Sequence, residues 1–164
     1  MKAQIFDPNT NENVEFDLRS EDEEKVREKL EPLTHKKKLD NYIENLNIPA
    51  EAKVIIHKIT EITISVGSTI LRIGNKIIET IIYFTKKFPN TTIGVIVGSI
   101  IGLLFSSIPI LGLILGPMLK FLCPALGLTF GFWEDLREKS LKSEMYNHID
   151  EVYGELKKQP ATSS

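Results

Sequence analysis

The sequence predicts a mainly α-helical membrane protein: a short N-terminal β-hairpin, a helical cytoplasmic head, a long amphipathic helix, a two-helix transmembrane hairpin and a C-terminal cytoplasmic helix. Three observations lead there. Between Lys87 and Glu134 the only charged residue is Lys120. Apolar residues recur at helical spacing over nearly forty positions before that block. Lysines and arginines gather on both sides of it and nearly vanish within it. The averages conceal this partition, since 26% of residues are charged and the mean hydropathy is −0.05.

At 164 residues the chain is one domain by length, with room for soluble and membrane segments. The expected segments are a head (1–49), a long amphipathic helix (50–89), a transmembrane hairpin (90–136) and a C-terminal amphipathic helix with a polar tail (137–164). A net charge of −2 and a pI near 6.0 argue against a protein that coats nucleic acid or an anionic membrane through bulk charge, which leaves only local patches for such contacts. A single cysteine, Cys123, excludes an internal disulfide and a Cys-based zinc site, and inside an apolar block it reads as a small hydrophobe. The N-terminus lacks a secretory signal, so the soluble parts are expected in the cytoplasm and the apolar block must direct its own insertion.

In the head, AQIF and NVEFDL flank the turn formers DPNTNE, which predicts a β-hairpin. Ser20 with Glu23 fits a capping box, followed by a helix to about Leu30 that breaks near Pro32. Residues 37–46 read as a further short helix. His35, Lys36, Lys37 and Lys38 form the one compact basic patch, a candidate site for an anionic ligand, though such runs are usually solvated helix faces.

Ile55, Ile59, Ile62, Val66, Ile70, Ile73, Ile77, Ile81, Phe84 and Phe88 follow one another at intervals of three or four, while Lys58, Glu61, Ser65, Arg72, Lys76 and Glu79 lie opposite. The period predicts one helix over 50–88 ended by Pro89, roughly 58 Å long at 1.5 Å per residue. The small head cannot cover such a stripe, so Ile55, Ile59, Ile62, Val66, Ile70, Ile73, Ile77 and Ile81 are candidates for oligomerisation. Folding onto the chain's own helices and lying on a bilayer surface are the alternatives.

Residues 91–108 are apolar or small all round, close to the ~20 residues needed to cross a ~30 Å hydrocarbon core. A second crossing is expected over 118–136, with a turn from Pro109 to Pro117 between them; the alternative is a hairpin wholly buried in a soluble helical bundle. Lys76, Lys86 and Lys87 before the block, with Arg137, Lys139 and Lys142 after it, place both termini in the cytoplasm of a bacterial inner membrane. Tyr83, Phe84 and Phe88, and Phe130, Phe132 and Trp133, fit interfacial aromatic belts.

Gly94, Gly98, Gly102 and Ser106 make a glycine-zipper stripe, and Gly112/Gly116 and Gly127/Gly131 repeat GxxxG, a pattern that brings membrane helices together within or between subunits. Thr92, Ser99 and Ser106 border the stripe as a candidate pore lining, with hydroxyls bonded back to their own helix carbonyls as the alternative, and Lys120 is a candidate outer ring or an interfacial lysine. Leu141, Met145, Ile149, Val152 and Leu156 predict an amphipathic C-terminal helix that could pack on the stripe of 50–88.

His35, His57 and His148 show no metal-ligand spacing, and Walker, HExxH, GxSxG and dinucleotide fingerprints are absent. No enzyme, cofactor or metal site is expected. The small head, long helix and glycine-rich hydrophobic hairpin resemble, in layout, the membrane effectors of bacterial antiphage defence such as the channel-forming subunit of the Hailong system. That resemblance implies an oligomeric channel held closed until infection and controlled by a partner nucleotidyltransferase or its nucleotide product. The expected function is a homo-oligomeric inner-membrane pore acting as a gated effector, with the lipid bilayer and further copies of the chain as partners. A non-catalytic membrane anchor or adaptor and a toxin-like hairpin that inserts on demand are the alternatives.

Overall fold

A four-stranded antiparallel sheet and seven α-helices share one hydrophobic core in the computed structural model, which describes residues 2–159. Strands β1 (Lys2–Asp7) and β2 (Glu12–Asp17) form a hairpin in which Asn11 takes a φ of 59° and Asp7 Oδ1 accepts the Asn9 amide at 2.8 Å. Asx chemistry and a left-handed asparagine are what a tight turn requires here. The hairpin is half of a larger sheet, since β1 also pairs with β3 (Ile64–Val66), and β3 pairs with β4 (Thr69–Leu71), giving the order β2-β1-β3-β4. Ala3, Ile5, Phe16, Ile64, Val66 and Leu71 turn into the core, while Lys2, Gln4 and Glu15 stay outside, the alternation of a sheet covered on one face.

The helices are α1 (Glu23–Leu30), α2 (Lys36–Glu44), α3 (Ala50–Ile59), α4 (Ile73–Lys87), α5 (Ile93–Ser107), α6 (Pro109–Ala125) and α7 (Lys139–Lys157). Helices α5 and α6 form the most extensive pair; α4, α7 and a 3-10 turn at Phe132–Asp135 also pack on α5, and α3 packs on α6. A 3-10 turn at Ser20–Asp22 precedes α1 with no side-chain cap, in place of the capping box; Glu23 instead pairs with Arg27 at 2.9 Å.

The single helix expected over 50–88 is two helices with a β-hairpin between them. The isoleucine stripe keeps its spacing across the break because Ile62, Ile64 and Val66 point inward from an extended segment, while Ile59, Ile73 and Ile77 point inward from helices. β-Branched residues from Ile62 to Ile70 favour strand, and Gly67, at a φ of 60°, makes the two-residue turn between β3 and β4. The chain then doubles back so closely that a Cβ on Gly74 would lie 2.1 Å from the Ile59 carbonyl oxygen.

The two crossings are also corrected. Helix α5 has 15 residues and α6 has 17, and no helix among the described residues is long and apolar enough to cross a membrane. At 1.5 Å per residue α5 reaches only about 22 Å. The resident membrane protein, its ion channel and its inner-membrane placement are therefore not supported. The expected turn at 109–117 is helix: Pro109 occupies the first turn of α6, where its missing N–H costs nothing, and Pro117 and Pro124 sit on its exposed side. The helix stops at Ala125, before Gly127, which has a φ of 74°, so residues 126–136 are a returning segment rather than the end of a second crossing.

Candidate functional site

The apolar block is packaged inside the fold. Every residue of α5 from Ile96 to Leu104 is buried, and α6 lays Ile110, Leu111, Ile114, Leu115, Leu119 and Leu122 against the same core. Each fully buried aliphatic side chain contributes about 1.5–3 kcal/mol relative to water. Ser99 is fully buried in the middle of α5 and its Oγ has no hydrogen-bond partner, whereas the exposed Ser106 donates to its own helix at Leu103 O at 3.3 Å. Thr92 is the exposed N-cap residue of α5, and its carbonyl accepts the Ile96 amide.

The glycine stripe faces the returning segment of the same chain. A Cβ on Gly94 would lie 3.7 Å from Leu126; on Gly98 it would lie 2.9 Å from the Phe132 ring, and on Gly102 it would lie 2.2 Å from the Trp133 indole. Small residues let that segment close over α5, and Phe105, Phe130, Phe132 and Trp133 lock it with edge-on ring contacts 5.3–6.2 Å between centroids. Trp133 is therefore core, not an interfacial belt residue, as is Phe84. On α6, a Cβ on Gly112 would lie 2.8 Å from the Phe105 carbonyl oxygen, which sets the close approach of the two helices. Gly127 and Gly131 have positive φ and open space around them, so they serve as turns.

A strap holds the package on its other side. Along α7, Leu141, Met145, Ile149, Tyr153 and Leu156 are buried and Val152 is half-buried. Tyr153 Oη and Thr80 Oγ1 of α4 lie 2.9 Å apart in a fully buried contact, and Thr80 Oγ1 also donates to Lys76 O at 3.0 Å. Burial pushes the Tyr153 hydroxyl pKa up. His148 of α7 stacks on Tyr83 with centroids 4.8 Å apart and meets Phe84 edge-on at 5.3 Å. Its pKa is lowered, chiefly by burial; Glu151 opposes that shift, while Lys76 and Lys87 add to it. Lys87 pairs with Glu144, and Lys76 pairs with Glu79 at 3.5 Å, whose other oxygen accepts the Thr34 amide at 2.9 Å. At the far end Gln159, also buried, donates to Asp22 Oδ2 at 3.1 Å. Residues 160–164, the rest of the expected polar tail, lie outside the described residues.

The remaining candidates are dispersed. Of the proposed oligomerisation stripe, Ile59, Ile62, Val66, Ile73, Ile77 and Ile81 are buried in the chain's own core, Ile55 is half-buried, and Ile70 is 61% exposed on β4. His35, Lys36, Lys37 and Lys38 are exposed at the start of α2, and Lys120 is exposed on α6. Cys123 is a buried free thiol, raised in pKa by burial. Among the described residues no group of three or more His, Cys, Asp or Glu side chains is placed to hold a metal. The C-terminal helix meets the 50–88 stripe at α4, as its apolar spacing suggests, but the Thr80–Tyr153 pair that joins them was not among the candidates, although Thr80 between Ile77 and Ile81, and Tyr153 within the apolar stripe of α7, are two hydroxyls on facing apolar surfaces.

Comparison with protein-family models, curated proteins and solved structures gave no match. The long helix and membrane hairpin on which the likeness to antiphage effectors rested are replaced in the structure by α3–β3–β4–α4 and a buried helix pair.

Proposed function

We propose that this is a non-catalytic, conditionally lipid-active protein that stores the α5–α6 pair under a coat of α4, α7 and the returning segment, and transfers it into one leaflet of a bilayer when the coat opens. The carrying observation is that α5 is sealed on every side from Ile96 to Leu104 while being apolar or small all round, with Ser99 its one polar side chain there. A core helix of a small domain ordinarily needs only one apolar face. Exposing Ile96, Val97, Ile100, Ile101, Leu103 and Leu104 to water costs on the order of ten kcal/mol or more. A lipid leaflet removes that cost. The helices are too short to cross, so the pair acts as a wedge within one leaflet.

Trp133 is the sole tryptophan and covers Gly102, which makes it a built-in reporter. With vesicles whose acyl chains carry bromine, transfer quenches Trp133 emission as the cover leaves α5 and enters lipid. Emission that stays unquenched while the protein is bound to the vesicles would exclude transfer.

A further inference from the structure

We infer that the outer face of α6 is a docking surface for a lipid bilayer with anionic headgroups, and that it makes first contact before the coat opens. This inference rests on the stored-hairpin reading for its purpose, but on separate residues for its evidence. Leu113, Pro117, Lys120, Phe121 and Pro124 project from one side of α6 at helical spacing, and all five are exposed. Phe121 is 72% exposed and Leu113 52%, while Phe130, beyond the end of the helix, is 49% exposed. Phe121 and Leu113, two turns apart on the same side of α6, together present apolar surface to water.

Charge selects the occupant. From Phe88 through Trp133 the chain has no carboxylate, and its only charge is Lys120, in the middle of this face. A second copy docking by two-fold symmetry would bring two Lys120 ammonium groups together with no acid on this stretch of either chain to answer them. An anionic headgroup layer answers the ammonium directly and takes the Phe121 ring at the same depth. The prolines set that depth. Pro117 and Pro124 have no N–H, so the Leu113 and Lys120 carbonyls lose their regular helical donors. In hydrocarbon those oxygens would go unpaired, whereas water at the headgroup level supplies donors. The face therefore rests at the interface.

The experiment is co-sedimentation of the full chain with vesicles of phosphatidylcholine alone and of phosphatidylcholine mixed with phosphatidylserine, reading Trp133 quenching by brominated chains in the same samples. Wild type is expected to bind the mixed vesicles. A Leu113→Ser/Phe121→Ser variant is expected to lose about tenfold or more in partitioning, and Lys120→Gln about fivefold on the anionic vesicles only. These side chains are exposed, so the variants should keep the wild-type circular dichroism and Trp133 emission in solution. Three outcomes overturn the inference: wild type that ignores anionic vesicles, variants that bind as wild type does, or a solution dimer that the double variant dissolves. Unchanged binding with Trp133 still quenched would sink the docking face and leave the transfer reading standing. Binding that the double variant abolishes, with Trp133 unquenched in bound wild type, would do the reverse.

Discussion

The indole of Trp133 occupies the space that a side chain on Gly102 would need: an ideal Cβ there would lie 2.2 Å from both Cδ2 and Cε3 of the ring. The contact makes the glycine stripe of α5 an intramolecular seat. Its tightness is graded along the helix, from Gly102 under the indole, through Gly98 under the Phe132 ring, to Gly94, whose nearest neighbour would be Leu126 at 3.7 Å.

That gradient sets the first expected outcome. Gly102→Ala must displace a large, fully buried ring and should destabilise the fold by about 1–3 kcal/mol, the usual cost of overpacking. Gly94→Ala meets only ordinary van der Waals distances in the first turn of α5 and lowers the freedom of the unfolded chain, so it should be neutral or stabilising by up to about 1 kcal/mol. Urea unfolding followed by Trp133 emission measures both, and equal effects at the two sites would refute the seat.

Ile70 and Ile77 look equivalent on the apolar stripe, yet the structure separates them. Ile70 is 61% exposed on β4, and Ile77 is fully buried on α4. Ile70→Asp should change stability by no more than about 0.5 kcal/mol. Ile77→Asp buries an unpaired carboxylate and should cost several kcal/mol, enough to unfold a marginal domain. A continuous helix would make the two substitutions alike, so thermal melts of the pair test the β-hairpin between α3 and α4.

The same pair shows why part of the fold was legible and part was not. The N-terminal hairpin and the α7 stripe have unambiguous periods and explicit turn residues, and both elements form. From Ile55 to Ile81 two periods coincide, because an inward strand position every second residue overlaps a helical position every third or fourth. Gly67 marked the break, but glycine is also tolerated within helices. The apolar block was legible as two helices' worth of sequence. What composition alone could not show was that the glycines of α5 admit Trp133, or that Thr80 and Tyr153 meet across the gap between α4 and α7.

Their contact is asymmetric, which gives a third outcome. Tyr153→Phe leaves Thr80 Oγ1 still donating to Lys76 O, so only one hydrogen bond is lost, at about 0.5–1.5 kcal/mol. Thr80→Val strands the Tyr153 hydroxyl in a fully buried site and should cost more, about 1–3 kcal/mol. Denaturant unfolding of the two single variants and the double variant would show this order together with a coupling between the sites, and additive, equal losses would contradict the geometry.

Acid should loosen the strap through His148. Burial holds its pKa below the ordinary value of 6.5, so the unfolded chain takes up the proton before the folded one. Stability is then full above 6.5 and falls as pH drops from there through the folded value. The charges around the ring come from both helices: Lys76, Glu79 and Lys87 on α4, Glu144 and Glu151 on α7. Of these Lys76 and Lys87 reinforce the shift, and Glu151 opposes it without cancelling it. His148→Phe keeps an aromatic ring against Tyr83 and removes the titration. Between pH 7.5 and pH 5, wild type should therefore lose stability relative to this variant, and the gap should open below about pH 6.5. In urea unfolding at constant ionic strength, parallel pH profiles would exclude His148 as the group responsible. If α7 is the strap over the stored helices, the same pH range should also speed bromine quenching of Trp133 on anionic vesicles in wild type, with His148→Phe lagging behind it.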